Sequence, residues 1–127
     1  MDNIKNKNEN LQDDLYGICP FATTQKILAG KWPILILQHL SERTMRFNEL
    51  QRALPHLTQA TLTKQLRMME EKGLVRRKVY NQIPPKVEYS LTELGIEFAP
   101  VLDALEVWGQ KFISYLKTQD LSDSKYR

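Results

Sequence analysis

Apolar residues recur with a helical period in the segment LTQATLTKQLRMMEEKG, which covers residues 57–73. Leu62, Leu66 and Met69 follow the spacing i, i+4, i+7 and fall on one face of a helix. Thr58 suits the N-cap, and Gly73 suits the position just past the C-terminus. The other side is polar, small near its start and mostly cationic; it holds Ala60, Lys64, Arg67 and Glu71, with Gln59, Thr61 and Thr63 on its shoulders. A solvated face is the simplest interpretation of such a side when it is taken alone.

A period of two replaces the helical period after residue 74. The runs Val75–Tyr80 and Val87–Leu91 alternate and are rich in β-branched or aromatic residues, so they predict two strands. The connection NQIPPK contains Pro84 and Pro85, which lack a backbone donor and have a fixed φ. We therefore expect a hairpin whose stiff loop projects from the body of the protein.

Short helical segments precede this unit. CPFATTQKILAGKW predicts a helix that begins at Pro20, with Cys19 as its cap and Gly30 as its stop. WPILILQHL is apolar on nearly every side and predicts a buried second helix. Residues 45–47 suit a short strand, and residues 48–53 suit a third helix.

The C-terminal segment carries a heptad-like apolar seam. Thr92 can cap the helix at the start of this segment. Pro100 should interrupt its helix near Ala99. The seam could pack on its own domain, but so much apolar surface at the end of a small domain favours burial against a second copy. The predicted dimer interface comprises Leu94, Phe98, Val101, Leu102, Leu105, Trp108 and Phe112, and Ile113 and Leu116 widen the seam.

The order of these elements predicts a winged helix-turn-helix: a mainly α fold with a small β hairpin, which dimerises through its terminal helices. The expected organisation is a single globular unit. It has a flexible polar tail at residues 1–18, a winged helix-turn-helix domain at 19–117 whose dimerisation helix covers about 92–117, and a flexible tail at 118–127.

Positive charge is concentrated in the middle of the chain. Residues 58–86 hold seven cations and two acids, whereas residues 87–127 hold four cations and seven acids. This asymmetry is typical of a protein with one face turned to a polyanion. The sequence offers neither a membrane-length apolar run nor a signal-like N-terminus, and Cys19 has no second cysteine for an internal disulfide. We therefore expect a cytoplasmic protein that does not bind a membrane.

These features predict binding to double-stranded DNA, because an α-helix fits the major groove while a basic hairpin contacts the backbone. The predicted recognition-helix residues are Thr58, Gln59, Ala60, Thr61, Thr63, Lys64 and Arg67. The predicted wing residues are Arg76, Arg77, Lys78, Asn81, Gln82 and Lys86, although strand alternation allows only some of the first three to face DNA.

Other classes of function find less support in the sequence. His39 and His56 form no metal-ligand spacing with Cys19, and LAGKW lacks the flanking residues of a phosphate loop, so we expect no enzyme, no metal and no cofactor. A winged helix that binds a protein rather than DNA is the main alternative, but it would not need cations on both reader helix and wing. RNA recognition would favour exposed aromatic residues on strands.

Several runs together resemble the HxlR-type transcriptional regulators: CPFATTQKILAGKWPILIL, RFNELQRALPHLTQATLTKQLRMMEEKGLV and VYNQIPPKVEYSLTELG. The likeness covers residues 19–109. It implies a bacterial, dimeric repressor or activator on an inverted-repeat operator, with a small-molecule effector or an oxidant as a further partner. Pro33 after the GKW run is unusual for that family.

Cys19 precedes Pro20 where some members of that family carry a cysteine that senses electrophiles or oxidants. At a helix N-terminus the positive end of the dipole would favour the thiolate. The simpler interpretation is that Cys19 is a small, buried hydrophobic residue. A second cysteine is absent from the sequence, so the resemblance implies no mechanism with two cysteines in one subunit.

Overall fold

The structure, a computed structural model, describes residues 15–125 of the chain, so most of the predicted N-terminal tail and the last two residues lie outside it. Its helices are α1 (Pro20–Ile27), α2 (Pro33–Glu42), α3 (Phe47–Ala53), α4 (Gln59–Glu71), α5 (Glu93–Ile96) and α6 (Ala99–Lys125), and its strands are β1 (Met45–Arg46), β2 (Val75–Tyr80) and β3 (Lys86–Leu91). The chain divides into two compact units, residues 1–36 and 37–127.

The first unit contains α1 and the start of α2. Helix α1 begins at Pro20, whose fixed φ suits a first helical position, and Cys19 takes the N-cap conformation with φ −92° and ψ 121°. Gly30 follows the helix with φ +102°, a conformation that a residue with a side chain adopts only under strain. Glycine at this position lets the chain turn sharply before α2 begins at Pro33.

The second unit is built around a helix-turn-helix and a three-stranded antiparallel sheet with strand order β1-β3-β2. In the turn between α3 and α4, the side-chain amide of Gln51 donates a hydrogen bond to the carbonyl oxygen of Leu57. This bond ties the end of α3 to the residue before the cap of α4. Fully or nearly fully buried apolar side chains form the core, among them Leu50, Leu57, Leu62, Leu66, Met69 and Val75.

Strands β2 and β3 form the predicted hairpin, and β1 pairs with the middle of β3, at Glu88 and Tyr89. The register places Arg77 opposite Tyr89 and Lys78 opposite Glu88, while Arg46 of β1 lies on the other side of Glu88. The predicted fold class, mainly α with a small β element in a winged helix-turn-helix, is confirmed. The sheet gains a third strand because the run at Met45 pairs with β3.

The C-terminal helix is interrupted where Pro100 predicted it. Thr92 caps α5 by accepting a hydrogen bond from the backbone N–H of Gly95 (3.1 Å), and its hydroxyl donates to the carbonyl oxygen of Gly73 (2.6 Å). Helix α6 then starts at Ala99 and continues to Lys125, beyond the predicted end of the dimerisation helix at residue 117. Across the described part of the chain, no helix combines the length and the apolarity that crossing a membrane requires.

Candidate nucleic-acid interface

Helix α4 presents one polar face because its other face is buried. Leu62, Leu66 and Met69 are at most 2% exposed, as the apolar spacing predicts. Thr58 caps the helix: its Oγ1 accepts a hydrogen bond from the backbone N–H of Thr61 at 3.2 Å. On the outward face Ala60, Lys64 and Arg67 are exposed. The helix is therefore fixed by its core face and cap, and its outward side chains stay available for a ligand.

The threonines in the first turns of α4 are less available than the long side chains. Thr58 Oγ1 donates to Thr61 Oγ1 at 2.9 Å, and Thr63 Oγ1 donates to the carbonyl oxygen of Gln59 at 2.9 Å. Thr61 and Thr63 are also half-buried, whereas Gln59 is exposed. Their hydroxyl oxygens can still accept hydrogen bonds, but the side-chain donors that reach outward from this helix belong to Gln59, Lys64 and Arg67.

A cleft of about 490 Å³ separates α4 from the sheet, and we call it the reader cleft. Gln59, Thr63 and Arg67 line it from the helix, and Arg77 lines it from β2. Phe47, Leu66, Val87 and Tyr89 supply apolar surface, and Glu70 supplies one carboxylate. The structure thus brings a polar amide, a hydroxyl and two guanidinium groups from two elements to one concave surface.

Strand alternation divides the predicted wing cations between the two faces of the sheet. Arg77 is paired with Tyr89 and lies on the face of the reader cleft, whereas Lys78 is paired with Glu88 and shares the opposite face with Arg76 and Lys86. All four are predicted phosphate contacts, and only Arg77 lines the reader cleft.

On that opposite face the aromatic ring of Tyr80 lies between two lysines. The Nζ atoms of Lys78 and Lys86 are 4.8 Å and 4.7 Å from the ring centroid, within the range of cation–π attraction. The Tyr80 hydroxyl donates a hydrogen bond to Glu88, and Lys86 Nζ lies 3.5 Å from Glu88 Oε1. These contacts lower the pKa of Glu88, the Tyr80 hydrogen bond most strongly. Glu88 therefore contacts Lys86 directly, whereas Lys78 is positioned through the Tyr80 ring.

The tip of the hairpin, residues 81–85, is exposed throughout. The backbone N–H of Gln82 donates to the carbonyl oxygen of Tyr80 at 3.0 Å, and Asn81 and Gln82, the predicted groove contacts, both project into solvent. Sequence reasoning did not single out Ile83, which is fully exposed at the tip.

Cys19, in the first unit, lies at the N-cap of α1 and is half-buried. Its side chain makes no capping hydrogen bond to α1. Nearby in sequence, Lys26 Nζ lies 5.0 Å from the ring centroid of Tyr16, and the backbone N–H of Gly17 donates to Thr23 Oγ1 at 2.8 Å. The thiol is therefore held at a defined helix end and is partly accessible.

The predicted dimer seam is largely exposed on the single chain. Trp108 is 62% exposed, Phe112 43% and Val101 41%, and the rings of Trp108 and Phe112 stack at 5.3 Å. Leu94 and Leu105 are also exposed, and Phe98 is half-buried. Leu102 differs because it is only 9% exposed and already packs within its own chain.

A second charged cleft contains residues that sequence reasoning missed: Arg43, Arg46 and Arg52. Arg43 follows α2, Arg46 lies in β1 and Arg52 lies in α3. The pairing of β1 with β3 brings Glu88 and Lys86 to the same cleft, which no local pattern reveals. The described residues contain no group of three or more histidines, cysteines or acids that could hold a metal ion.

Comparison with known proteins identifies relatives of this chain. Residues 27–117 match the family described as HxlR-like helix-turn-helix. The chain is 48% identical over 100 residues to the uncharacterized HTH-type transcriptional regulator YdeP of Bacillus subtilis (strain 168), with 79% of this chain and 77% of YdeP covered.

Two solved structures share the fold and much of the sequence. The redox regulator HypR in its reduced form is 41% identical with a TM-score of 0.74, over 78% of this chain and 98% of HypR. The reduced form of the transcriptional regulator YodB from B. subtilis is 30% identical with a TM-score of 0.67, over 75% of this chain and 94% of YodB.

Proposed function

Since the chain belongs to the HxlR-like helix-turn-helix family, we propose that it binds operator DNA sequence-specifically, with α4 in the major groove and the β2–β3 hairpin against the backbone. Its relatives are transcriptional regulators and not enzymes, in agreement with the expectation from the sequence. A chromosomal target would place its action in the cytoplasm.

The reader cleft is the observation that carries this proposal. A protein that reads a groove must present base-reading groups and phosphate-binding groups on one surface. Gln59 and Arg67 on α4 and Arg77 on β2 line the same cleft. Helix α4 is held by its buried face and by the Thr58 cap, and Gln59, Lys64 and Arg67 stay exposed.

Within this proposal the residues take different roles. Gln59 can form paired hydrogen bonds to adenine, and Lys64 and Arg67 bind either guanine or phosphate. Ala60 and the threonines at positions 58, 61 and 63 line the start of the helix, where close approach to bases is possible. Of the predicted wing cations, Arg77 supplies the backbone contact beside the reader cleft, whereas Arg76, Lys78 and Lys86 lie on the other face of the sheet. The groove contacts at the tip come from Asn81 and Gln82.

Fluorescence anisotropy with a labelled duplex over a series of salt concentrations tests DNA binding. A protein that contacts several phosphates should lose on the order of a thousandfold in affinity between about 50 and 200 mM salt. A winged helix that binds only proteins would show flat anisotropy with DNA even at low salt. Selection of bound sequences from a random pool would then give the operator.

We also propose that the protein acts as a homodimer through α6. A single chain leaves Val101, Leu105, Trp108 and Phe112 exposed on one stripe, with Ile113 and Leu116 beside them. An exposed apolar stripe of this length is unusual on a monomer and is typical of an interaction surface. A symmetric pair would place two reader helices on an inverted-repeat operator.

We propose Cys19 as a thiol sensor, because it is partly accessible at a helix N-cap and because the chain is similar to the redox regulator HypR. A peroxide would accept two electrons from the Cys19 thiolate and leave a sulfenic acid. This sulfenic acid would then condense with a second thiol, either the partner subunit's Cys19 or a small cellular thiol, to form a disulfide and release water.

The variant Cys19→Ser tests the sensor. Peroxide or diamide treatment should change the DNA affinity of the wild-type protein and leave that of the variant unaltered, and a reductant should restore the wild type. An equal response of both proteins to the oxidant would remove Cys19 from the mechanism while leaving DNA binding untouched.

A further inference from the structure

The second charged cleft, of about 550 Å³, is lined by Arg43, Arg46, Glu49, Arg52, Lys86 and Glu88, and we call it the second basic cleft. Its lining combines the segment after α2, strand β1, helix α3 and the start of β3. The remaining lining residues, Thr44 and Asn48, are polar as well. Every residue of this surface is thus polar or charged, in contrast to the apolar floor of the reader cleft.

The two clefts lie on opposite faces of the sheet. Lys86 and Glu88 line the second basic cleft, whereas Val87 and Tyr89, the alternating residues of the same strand, line the reader cleft. Successive side chains of a strand point to opposite faces, and Arg46 pairs with Glu88 across β1 and β3. A straight duplex along α4 therefore lies on the other side of the sheet from Arg46.

The charges of the second basic cleft are held in place but not neutralised. Glu49 accepts a hydrogen bond from the backbone N–H of Arg46 at 2.9 Å and from Arg43 Nη1 at 2.7 Å. Glu88 accepts from Tyr80 and lies beside Lys86. Four cations against two carboxylates leave a net charge of +2, and Arg76 and Lys78 extend the same sheet face.

Reading the groove does not account for this positive charge. In the reader cleft Arg67 and Arg77 oppose one carboxylate, Glu70, which leaves a net charge of +1. The lining of the second basic cleft thus carries more net positive charge than the lining of the reader cleft. Three arginines supply planar donor groups to this cleft, and such groups suit the oxygens of a phosphate diester better than an apolar or aromatic ligand.

We propose that the second basic cleft binds the backbone phosphates of a second DNA segment while α4 reads the first, so that one protein bridges two duplexes. This inference rests on the proposed function, since it assumes that α4 and the hairpin hold the first duplex. Phosphate contacts carry no sequence information, so the second segment is bound irrespective of its bases.

A capture experiment tests the bridge: an operator duplex is immobilised, protein is added, and retention of a second, labelled duplex without an operator is measured at low salt. The test variant is Arg43→Gln/Arg52→Gln, which removes two charges from the second basic cleft. The control variant is Lys111→Gln/Lys117→Gln, which removes two charges from exposed positions of α6. Affinity for a single operator duplex is measured for each protein in parallel.

The test variant should lose roughly tenfold or more in capture of the second duplex, because each lost phosphate contact lowers the affinity strongly at low salt. Its affinity for a single operator duplex should be unchanged. The control variant should match the wild type in both measurements. Arg52→Gln alone should show a smaller loss in the same direction. Since Arg52 takes part in no ion pair among residues 15–120, that variant leaves the contact between Arg43 and Glu49 intact.

Three results would overturn the inference. One is normal binding of a single duplex by the wild type with no capture of a second. Another is a parallel loss of capture and single-duplex affinity in the test variant, which would assign both clefts to the same duplex. The third is undiminished capture by the test variant, which would place the second duplex elsewhere on the protein. Failure of the wild type to bind any single duplex would instead refute the proposed function.

Discussion

At the scale of single residues, Gln59 and Arg77 line the reader cleft from different elements and have different proposed roles. Gln59 is exposed in the first turn of α4, where the side chain can reach a base edge. Arg77 lies on a strand beside that helix and lines the same cleft, and under the proposed function its guanidinium group would meet the DNA backbone rather than the floor of the groove. The two residues line one surface, so their substitution should affect DNA binding in different ways.

We predict that Gln59→Ala costs about 1–3 kcal/mol on the selected operator and relaxes preference at one base pair, because a paired hydrogen bond to adenine is lost. Arg77→Ala should lower affinity by a similar factor on every sequence and reduce the slope of affinity against salt by about one. Anisotropy on the operator and on single-base variants, at several salt concentrations, measures both. A uniform loss for Gln59→Ala, or an unchanged salt slope for Arg77→Ala, would contradict the assignment.

Glu49 shows how one carboxylate supports the geometry of the second basic cleft. The backbone N–H of Arg46 and then the guanidinium of Arg43 hold its pKa below the ordinary value of 4.5. A carboxyl whose pKa is lowered by folding stabilises the folded state above the unfolded pKa and loses that contribution as pH falls through the lowered value.

Replacement of Glu49 by Gln should therefore lower the free energy of unfolding at neutral pH relative to the wild type. The gap should narrow as pH falls below about 4.5, because the wild-type carboxyl also becomes neutral there. Urea denaturation of both proteins between pH 7 and pH 3 measures the gap. A difference that stays constant across this range would show that packing, and not charge, accounts for the change.

At the scale of elements, the sequence predicts those parts of the fold whose residues are close in the chain. The hairpin strands, the cap of α4 at Thr58, the buried stripe of that helix and the interruption before Ala99 all follow from local periodicity, capping residues or prolines. Their predicted boundaries agree with the structure to within one residue, because local periodicity, capping residues and prolines determine where each element begins and ends.

Features that depend on pairing between distant segments could not be predicted in this way. The second basic cleft exists because β1 adds to β3 and places Arg46 beside Glu88, 42 positions along the chain. The burial of Leu102 likewise depends on tertiary packing, since its spacing resembles that of exposed seam residues. The extension of α6 beyond residue 117 could not be predicted from an apolar period, because the last residues of the helix are mostly polar.

Helix α6 offers a matched test of its proposed role. Trp108 and Phe112 lie on the apolar stripe, whereas Val107 is equally apolar and 56% exposed but lies about 100° around the helix from Trp108. Trp108→Glu/Phe112→Glu should convert the dimer into a folded monomer, since a charge in an apolar interface is strongly unfavourable. Val107→Glu should leave the dimer intact.

Sedimentation equilibrium measures the association state of these variants, and circular dichroism checks that each remains helical. A dimer that survives Trp108→Glu/Phe112→Glu would move the interface away from this stripe. Equal dissociation by Val107→Glu would show that the whole of α6, rather than one face, is sensitive to added charge.

At the scale of the whole molecule, the affinity for an operator would depend on dimerisation. A single reader helix contacts a few base pairs, and its affinity is correspondingly low. Joining two copies through α6 would make the second contact intramolecular and raise the apparent affinity without any new contact to DNA. The gain in affinity requires that the distance between the half-sites match the distance between the two α4 helices. The operator spacing that binds best would therefore report the separation of these helices in the dimer.

Insertion of base pairs between the half-sites should therefore weaken binding by the wild type. Each added base pair shifts one half-site by about 3.4 Å and rotates it by about a tenth of a turn, so a dimer joined through helices cannot follow. Binding should fall by roughly a hundredfold or more, toward the affinity of one half-site. Trp108→Glu/Phe112→Glu, as a monomer, should start at that lower affinity and be indifferent to spacing. If the wild type is equally indifferent, the two reader helices do not act on one operator, and each α4 must bind DNA independently of the contact through α6.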